Sequence, residues 1–325
     1  MAAEQPVSTA EVLGAYQGRR VYLHEVSGNN GDELILRGSQ FLIRRHGCVP
    51  VAKPEDAEVL LINGGFKSDF WPFANETIRG FSTDHPHKPL VILPSSYLFS
   101  ETDFPALFAG RTAPVTIMAR EHPSLGLVRA MDFPCDVRFG LDHDTAFALA
   151  DDPEFIRLAG SPTSRDLLVV ERGDAESVSG MSESGLLDSS ALRSIVGRAL
   201  PRPVLSLAAR VVGRARRTGA DKATSPFAQQ AVNLAASALG RNPTSLLAAD
   251  VSRRSVCTFQ EFCSEIARSE VIVSTRLHVA ILGAILGRRT YIVAGKYHKI
   301  PGIYEYSMAA MDHASMVSPQ CEPIA

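Results

Sequence analysis

Three short segments of this 325-residue chain carry residue types that act on anions and hydroxyls. The first is Ser274-Thr275-Arg276-Leu277-His278, set between an apolar run that reads as a strand and another that reads as a helix. Arg276 supplies a guanidinium fork that matches a carboxylate or a phosphate, and His278 moves a proton near neutral pH. The second is Gly28-Asn29-Asn30-Gly31-Asp32-Glu33, again between strand and helix, where backbone N–H groups gather and Asp32 suits the N-cap. An Asn-rich loop at a strand's carboxyl end suits sugar hydroxyls, and it equally suits a plain cap and tight turn. The third is Glu171-Arg172-Gly173-Asp174, where Arg172 reads either as a second anion contact or as one half of a surface ion pair.

The elements that must hold these residues are visible as alternating apolar patterns. In the first half, strands are expected at 21–25, 58–62, 90–93 and 115–118, with a helix from Asp32 to Arg45 whose stripe includes Leu34, Ile35, Phe41 and Leu42. Asn63-Gly64-Gly65 closes the second of these strands. Continuous apolar runs of this length suit a parallel sheet covered on both faces. A polar, turn-rich stretch from Asp151 to Ser164 divides the chain into expected domains 1–160 and 161–325. The second half repeats the alternation. Strands are expected at 167–170, 246–251, 271–273 and 290–293, and helices at 225–239, 258–268 and 277–286, the first capped by Ser225 with Pro226 behind it. The pattern implies an α/β protein of two Rossmann-like, doubly wound domains facing a central cleft.

Composition narrows the function classes. Thirty-three basic residues against 35 acidic ones give a net charge of −2, which argues against a dedicated nucleic-acid binder. No apolar run approaches the roughly 20 residues of a membrane span. The first residues lack the basic and apolar regions of a secretory signal. Cys48, Cys135, Cys257, Cys263 and Cys321 are scattered without a Cys-x-x-Cys pair, so neither a disulfide framework nor a zinc site is expected, and the expected setting is cytoplasmic. Residues 191–217 hold seven arginines and no acid, which reads as a basic surface touching anionic lipid at the inner membrane face or as an ordinary solvated helix face. Neither Gly-x-Gly-x-x-Gly, a Walker A loop, His-Glu-x-x-His nor Gly-x-Ser-x-Gly occurs, which removes the dinucleotide, P-loop, metalloprotease and hydrolase signatures.

Taken together, the segments resemble the polysaccharide pyruvyltransferase family. The matching pieces are Asn30-x-Asp32, Asn63-Gly64-Gly65, Ala119-Arg120-Glu121 with Ser124, Arg172, Phe259-Gln-Glu-Phe262 and Val271-Ile-Val-Ser-Thr-Arg-Leu-His278. Their order holds over roughly residues 20–310, and Ser-x-Arg-Leu-His is the most specific. Val279 follows His278 where the family usually carries a small residue.

The resemblance implies two Rossmann-like halves similar to GT-B glycosyltransferases, the first on the acceptor side and the second on the phosphoenolpyruvate side. It implies transfer of the three-carbon unit of phosphoenolpyruvate onto two hydroxyls of one sugar, forming a pyruvate ketal and releasing phosphate. Phosphoenolpyruvate is then the donor substrate, a saccharide or lipid-linked saccharide is the acceptor partner, and neither a cofactor nor a metal is required. By the same resemblance, Arg172, Arg276, Leu277, His278 and Lys299 bind the donor, with Lys296 nearby. Asn30, Asp32, Gly64, Gly65 and Glu121 bind the acceptor, and His278, Arg276 and Asp32 are catalytic, with Glu121 a second candidate base. Two other readings remain open on the sequence: a GT-B-like enzyme using a nucleotide sugar, and an inactive saccharide-binding scaffold.

Overall fold

The computed structural model describes residues 5–26, 28–69, 72–172, 225–322 and 324. The basic stretch 191–217, and Gly173 and Asp174, lie outside the described residues. The strands are β1 (Arg20–His24), β2 (Val49–Pro50), β3 (Val59–Ile62), β4 (Gly65–Ser68), β5 (Leu90–Leu98), β6 (Val115–Ala119), β7 (Val137–Leu141), β8 (Arg165–Val170), β9 (Leu246–Ala248), β10 (Ser269–Ser274), β11 (Arg289–Val293) and β12 (Ala314–Val317). The α-helices are α1 (Thr9–Gly14), α2 (Asn30–Arg45), α3 (Pro72–Asp84), α4 (His122–Arg129), α5 (Pro153–Ala159), α6 (Pro226–Leu239), α7 (Phe259–Ala267), α8 (Leu277–Ile285) and α9 (Lys299–Ile303).

Two wholly parallel sheets result. A seven-stranded sheet runs β2-β1-β3-β5-β6-β7, with β4 also paired to β5. A five-stranded sheet runs β12-β11-β10-β8-β9. Helices and parallel strands of this kind make a mixed α/β protein with two Rossmann-like sheets. The strand pattern explains why both faces of the first sheet are covered. Successive side chains of a strand point to opposite faces. Val59, Leu61, Val91 and Leu93 pack with Val12, Leu13 and Ile43 from α1 and α2. Leu60, Ile62, Leu90 and Ile92 pack on the other side with Ile78 and Phe81 of α3 and with Phe104 and Phe108. In the second sheet, Leu167, Val169, Val271 and Val273 pack against Phe227, Ala228, Ala231 and Ala235 of α6.

The chain divides into two compact units. The first holds the described residues up to Gly28, Asp32–Asp152 and Gly302–Ser307. The second holds Asn29–Gly31, the described residues within Pro153–Pro301, and those from Met308 on. The division at 152/153 precedes the one expected after residue 160, because α5 packs on α7 and Arg288 Nη2 donates to the carbonyls of Leu158, Ala159 and Ser161.

Several expected elements shift. Helix α2 starts at Asn30, so Asp32 sits in its first turn rather than at its cap. The strand expected at 246–251 ends at Ala248, where the chain turns with Val251 N donating to Ala249 O. Strand β5 extends to Leu98 through Pro94, and its register with β6 shifts between Ile92 and Ser95. That shift follows from proline, which lacks the N–H a regular ladder needs and is found at bulges. Beyond it, β5 pairs with β4, so Asn63-Gly64 breaks one strand line rather than ending it. The helix at Ser225 is as read: Ser225 Oγ accepts from Ala228 N at 3.0 Å.

Candidate active site

In the second sheet the connections reverse direction between β8 and β10. From β8 the chain adds β9 on one side, while β11 and β12 extend from β10 on the other. Reversals of this kind leave an opening at the carboxyl ends of the strands, where α/β proteins bind ligands. Arg172 and the Ser274–His278 segment both lie there, because Val170 and Ser274 are register partners. The two strand ends are tied together. Thr275 N donates to Val170 O at 3.0 Å, and Arg172 N donates to Thr275 Oγ1 at 2.7 Å.

Arg276 is the N-cap of α8, and its backbone N donates to Ser274 Oγ at 2.9 Å. The side chain is only 7% exposed. Its Nη2 and Nε donate to Asp250 Oδ2 at 2.6 and 3.2 Å. Asp250 is in turn held by Ser252 Oγ, which donates to Oδ1 at 2.6 Å. The guanidinium is therefore fixed in plane and neutralised at rest. Leu277, buried at the first helical position, precedes the half-buried His278.

The Asn-rich loop reaches this same place through Asn29–Gly31, which belong to the second unit. A Cβ on Gly31 would lie 2.8 Å from both Cβ and Nδ1 of His278, so only glycine lets the backbone approach the imidazole. Asn29 Oδ1 accepts from Gly31 N at 2.7 Å and fixes that approach. Asn30 is 1% exposed. Its Nδ2 donates to Val251 O and Cys257 O at 3.1 and 3.0 Å, and its N donates to Ser252 O at 2.8 Å. With both amide hydrogens spent on backbone, Asn30 braces the loop that carries Asp250. Lys299 is buried at the start of α9, and Lys296 is exposed.

The first sheet shows the same reversal between β1 and β3. Its strand ends carry His24, Asn63, Lys67, Arg120 and Glu121. Gly64 lies under β5, where a Cβ would meet Pro94 O at 2.6 Å, and Gly65 has φ 140°, a left-handed value that side chains avoid. These glycines shape the strand break. Asp32, half-buried in the first turn of α2, lies against Gly28. Lys67 is 1% exposed, and its Nζ donates to Asn63 O at 2.9 Å. Burial first, and Arg120 second, push its ammonium down to about 7, while Asp32 pulls the other way. His24, bonded through Nε2 to Thr77 Oγ1 at 3.2 Å, is lowered by burial and by Lys67.

Glu121 is fully buried at the N-cap of α4. Its oxygens accept from Ser96 Oγ at 3.0 Å and from Ser124 Oγ. Arg120 donates from Nε to Ser96 Oγ at 2.8 Å and forms a buried ion pair with Asp144. These bonds make Glu121 a buried brace for this network. The Phe259–Phe262 piece is likewise structural: Thr258 and Glu261 form a capping box, and Phe262 is fully buried. Sequence reasoning missed Asp250 and Lys67. A lone Asp near the end of the expected strand 246–251 carries no signal, whereas Lys67, one of six lysines in the chain, stands next to the Asn63-Gly64-Gly65 motif. Among the described residues, no group of three or more His, Cys, Asp or Glu side chains is placed to hold a metal ion, and no helix is long and apolar enough to cross a membrane.

The fold is that of a mixed α/β protein with two parallel sheets, and the second sheet carries Arg172 and Arg276 at its strand ends. Residues 258–297, which contain the β10–α8 junction, match the family model described as polysaccharide pyruvyl transferase. A crystal structure of a functionally uncharacterised protein from Klebsiella pneumoniae superposes with a TM-score of 0.58 at 15% identity, covering 95% of this chain and 96% of that one. No curated protein matches the sequence.

Proposed function

We propose that the protein is a transferase that moves the three-carbon unit of phosphoenolpyruvate onto two hydroxyls of a saccharide, yielding a pyruvate ketal and inorganic phosphate. The observation that carries this reading is the β10–α8 junction. There Arg276 is oriented in advance by Asp250, and His278 lies one position past Leu277 against Gly31; Arg276 and His278 themselves fall inside the segment 258–297 that matches the family model.

The donor carries a phosphate and a carboxylate, so it needs separated cationic contacts. Arg172 after β8 and Arg276 after β10 supply two, and Lys299 adds a third. The methylene carbon of the donor takes a proton, which leaves cationic character on the central carbon. One sugar hydroxyl adds there and loses its proton. The second hydroxyl then displaces phosphate, closing the ketal, and its proton leaves with the phosphate. In this scheme His278 gives the proton or holds the phosphate, Arg276 stabilises the departing charge, and Asp32 accepts a hydroxyl proton. A cation oriented before the reaction stabilises developing charge without reorganising, which is the arrangement that Asp250 gives Arg276. The scheme calls on no metal and no cofactor. The acceptor is a saccharide, either free or lipid-linked; the lipid-linked form fits a peripheral membrane setting.

The test is phosphate release from phosphoenolpyruvate with β-linked galactosides, glucosides and mannosides as acceptors. Acceptor-dependent release is expected from the wild type. Arg276→Ala and His278→Ala are each expected to lose about 100-fold or more of kcat/KM, the scale of removing one preorganised electrostatic contact. Release that persists in both variants removes the reading.

A further inference from the structure

The first unit carries a cluster of rings that neither the motifs nor the proposed chemistry uses. The segment Gly302–Ser307 belongs to this unit and is seated on Glu121: a Cβ on Gly302 would lie 2.8 Å from Glu121 Cγ. Tyr304–Met308, which overlap this segment up to Ser307, form a π-helical turn, a geometry that often marks functional sites. The turn delivers Tyr306 between two histidines that follow strand ends. His122, after β6, meets the Tyr306 ring edge-on at 5.3 Å between centroids. His143, after β7, lies 5.0 Å from it at 37°. Both histidines are exposed and Tyr306 is half-buried.

The rings are fixed rather than loose. His143 Nδ1 is 2.9 Å from Ser307 Oγ, and the Phe147 ring centroid lies 6.0 Å from that of His143. The backbone N of His143 donates to Asp142 Oδ1 at 2.8 Å, and Asp142 Oδ2 accepts from Thr9 N at 2.6 Å. Tyr306 is packed against the core of the first unit, and burial together with Asp142 keeps its hydroxyl protonated. With Nδ1 committed to Ser307, Nε2 is the ring's other polar atom. The surface thus offers aromatic faces for C–H groups and polar ring edges for hydroxyls. Among the described residues, the large exposed apolar ones, Val49, Phe73, Ile156 and Ile324, are all elsewhere in sequence. That combination suits a pyranose, which has C–H faces and a hydroxyl rim, better than it suits an apolar partner.

We propose that Tyr306 and His143, flanked by His122, form a platform on which one pyranose ring of the acceptor stacks. The proposal rests on the pyruvyl-transfer reading for the word acceptor, and its test separates the two. Methyl β-galactoside, β-glucoside and β-mannoside are titrated against the full-length protein by saturation-transfer NMR, and the same glycosides are run in the phosphate-release assay. At least one glycoside is expected to bind. Tyr306→Leu, which keeps the buried volume and removes the ring, and His143→Ala are each expected to weaken it by about tenfold. Tyr306→Phe is expected to stay within about twofold of wild type. The saturation levels of phosphoenolpyruvate are expected to be unchanged in all three. Folded Tyr306→Leu and His143→Ala proteins that bind the same glycoside as tightly as wild type, or a wild type that binds none of the three, overturn the platform. Tyr306-dependent glycoside binding without phosphate release keeps the platform and removes the transferase reading.

Discussion

His278 is held close to the backbone of a loop far from it in sequence. It sits in the first turn of α8 with the Gly31 backbone against its ring, and Asn29 Oδ1 fixes that backbone. Gly31→Ala places a methyl carbon 2.8 Å from Cβ and Nδ1 of His278, so the imidazole or the loop must move. The expected result is a drop in phosphate-release activity of about tenfold or more, since a misplacement of about 1 Å can cost a factor of a hundred. Folding, followed by circular dichroism, is expected to be retained. Unchanged activity in a folded Gly31→Ala protein would show that the His278 position is immaterial. The same residue shows what sequence could and could not reveal. Arg276 and His278 were legible as a pair, because their types and spacing at a strand–helix junction are chemically unusual. Gly31 was legible as part of another motif, but its closeness to His278 was not, since the two are far apart in sequence. Asp250 was invisible for the same reason, although it decides how Arg276 is held.

At the scale of elements, the strands with continuous apolar runs were readable, and β3, β8 and β10 fall where their patterns put them. Strand β4 was not readable, because Gly65-Phe66-Lys67-Ser68 has neither alternation nor an apolar run and opens on the second of two glycines. It forms because the bulge around Pro94 offers a partner beyond the break, a cause that lies in another strand. This element also buries Lys67. The ordinary lysine pKa is near 10.4, and burial lowers Lys67 to about 7 in the folded chain. Between those values the unfolded chain binds the proton and the folded chain does not, so stability rises with pH across that window. Below about 7 the cost of burying the ammonium is present in full. Thermal melts of wild type and Lys67→Met at pH 6 and pH 9 test this. The variant is expected to gain more at pH 6 than at pH 9; an equal gain at both values would show that Lys67 stays charged throughout.

At the scale of the whole molecule, the expectation of two α/β halves came from alternation repeated twice, and two parallel sheets are found. Both sheets reverse direction after their first strand, which puts chemistry-bearing residues at strand ends in each. The donor reading assigns phosphoenolpyruvate to the second sheet. Hydrogen exchange with saturating donor is therefore expected to protect 165–172 and 269–279 while leaving β5 and β6 unaffected. Protection centred on β5 and β6 instead would move the donor to the first sheet.

The tracing of the chain has a consequence for how such a protein can be altered. The first unit is not completed by its own half of the gene: Tyr306 and the rest of 302–307 are encoded after nearly all of the second unit, and Met308 onward returns to supply β12. Nor is the second complete without Asn29–Gly31, encoded near the start. A recombination joint at 152/153 would therefore not exchange two self-sufficient cassettes. It would strand the ring-bearing turn with one parent and the glycine that meets His278 with the other. Lineages of this fold are thus expected to diversify by substitution within an inherited whole rather than by swapping halves.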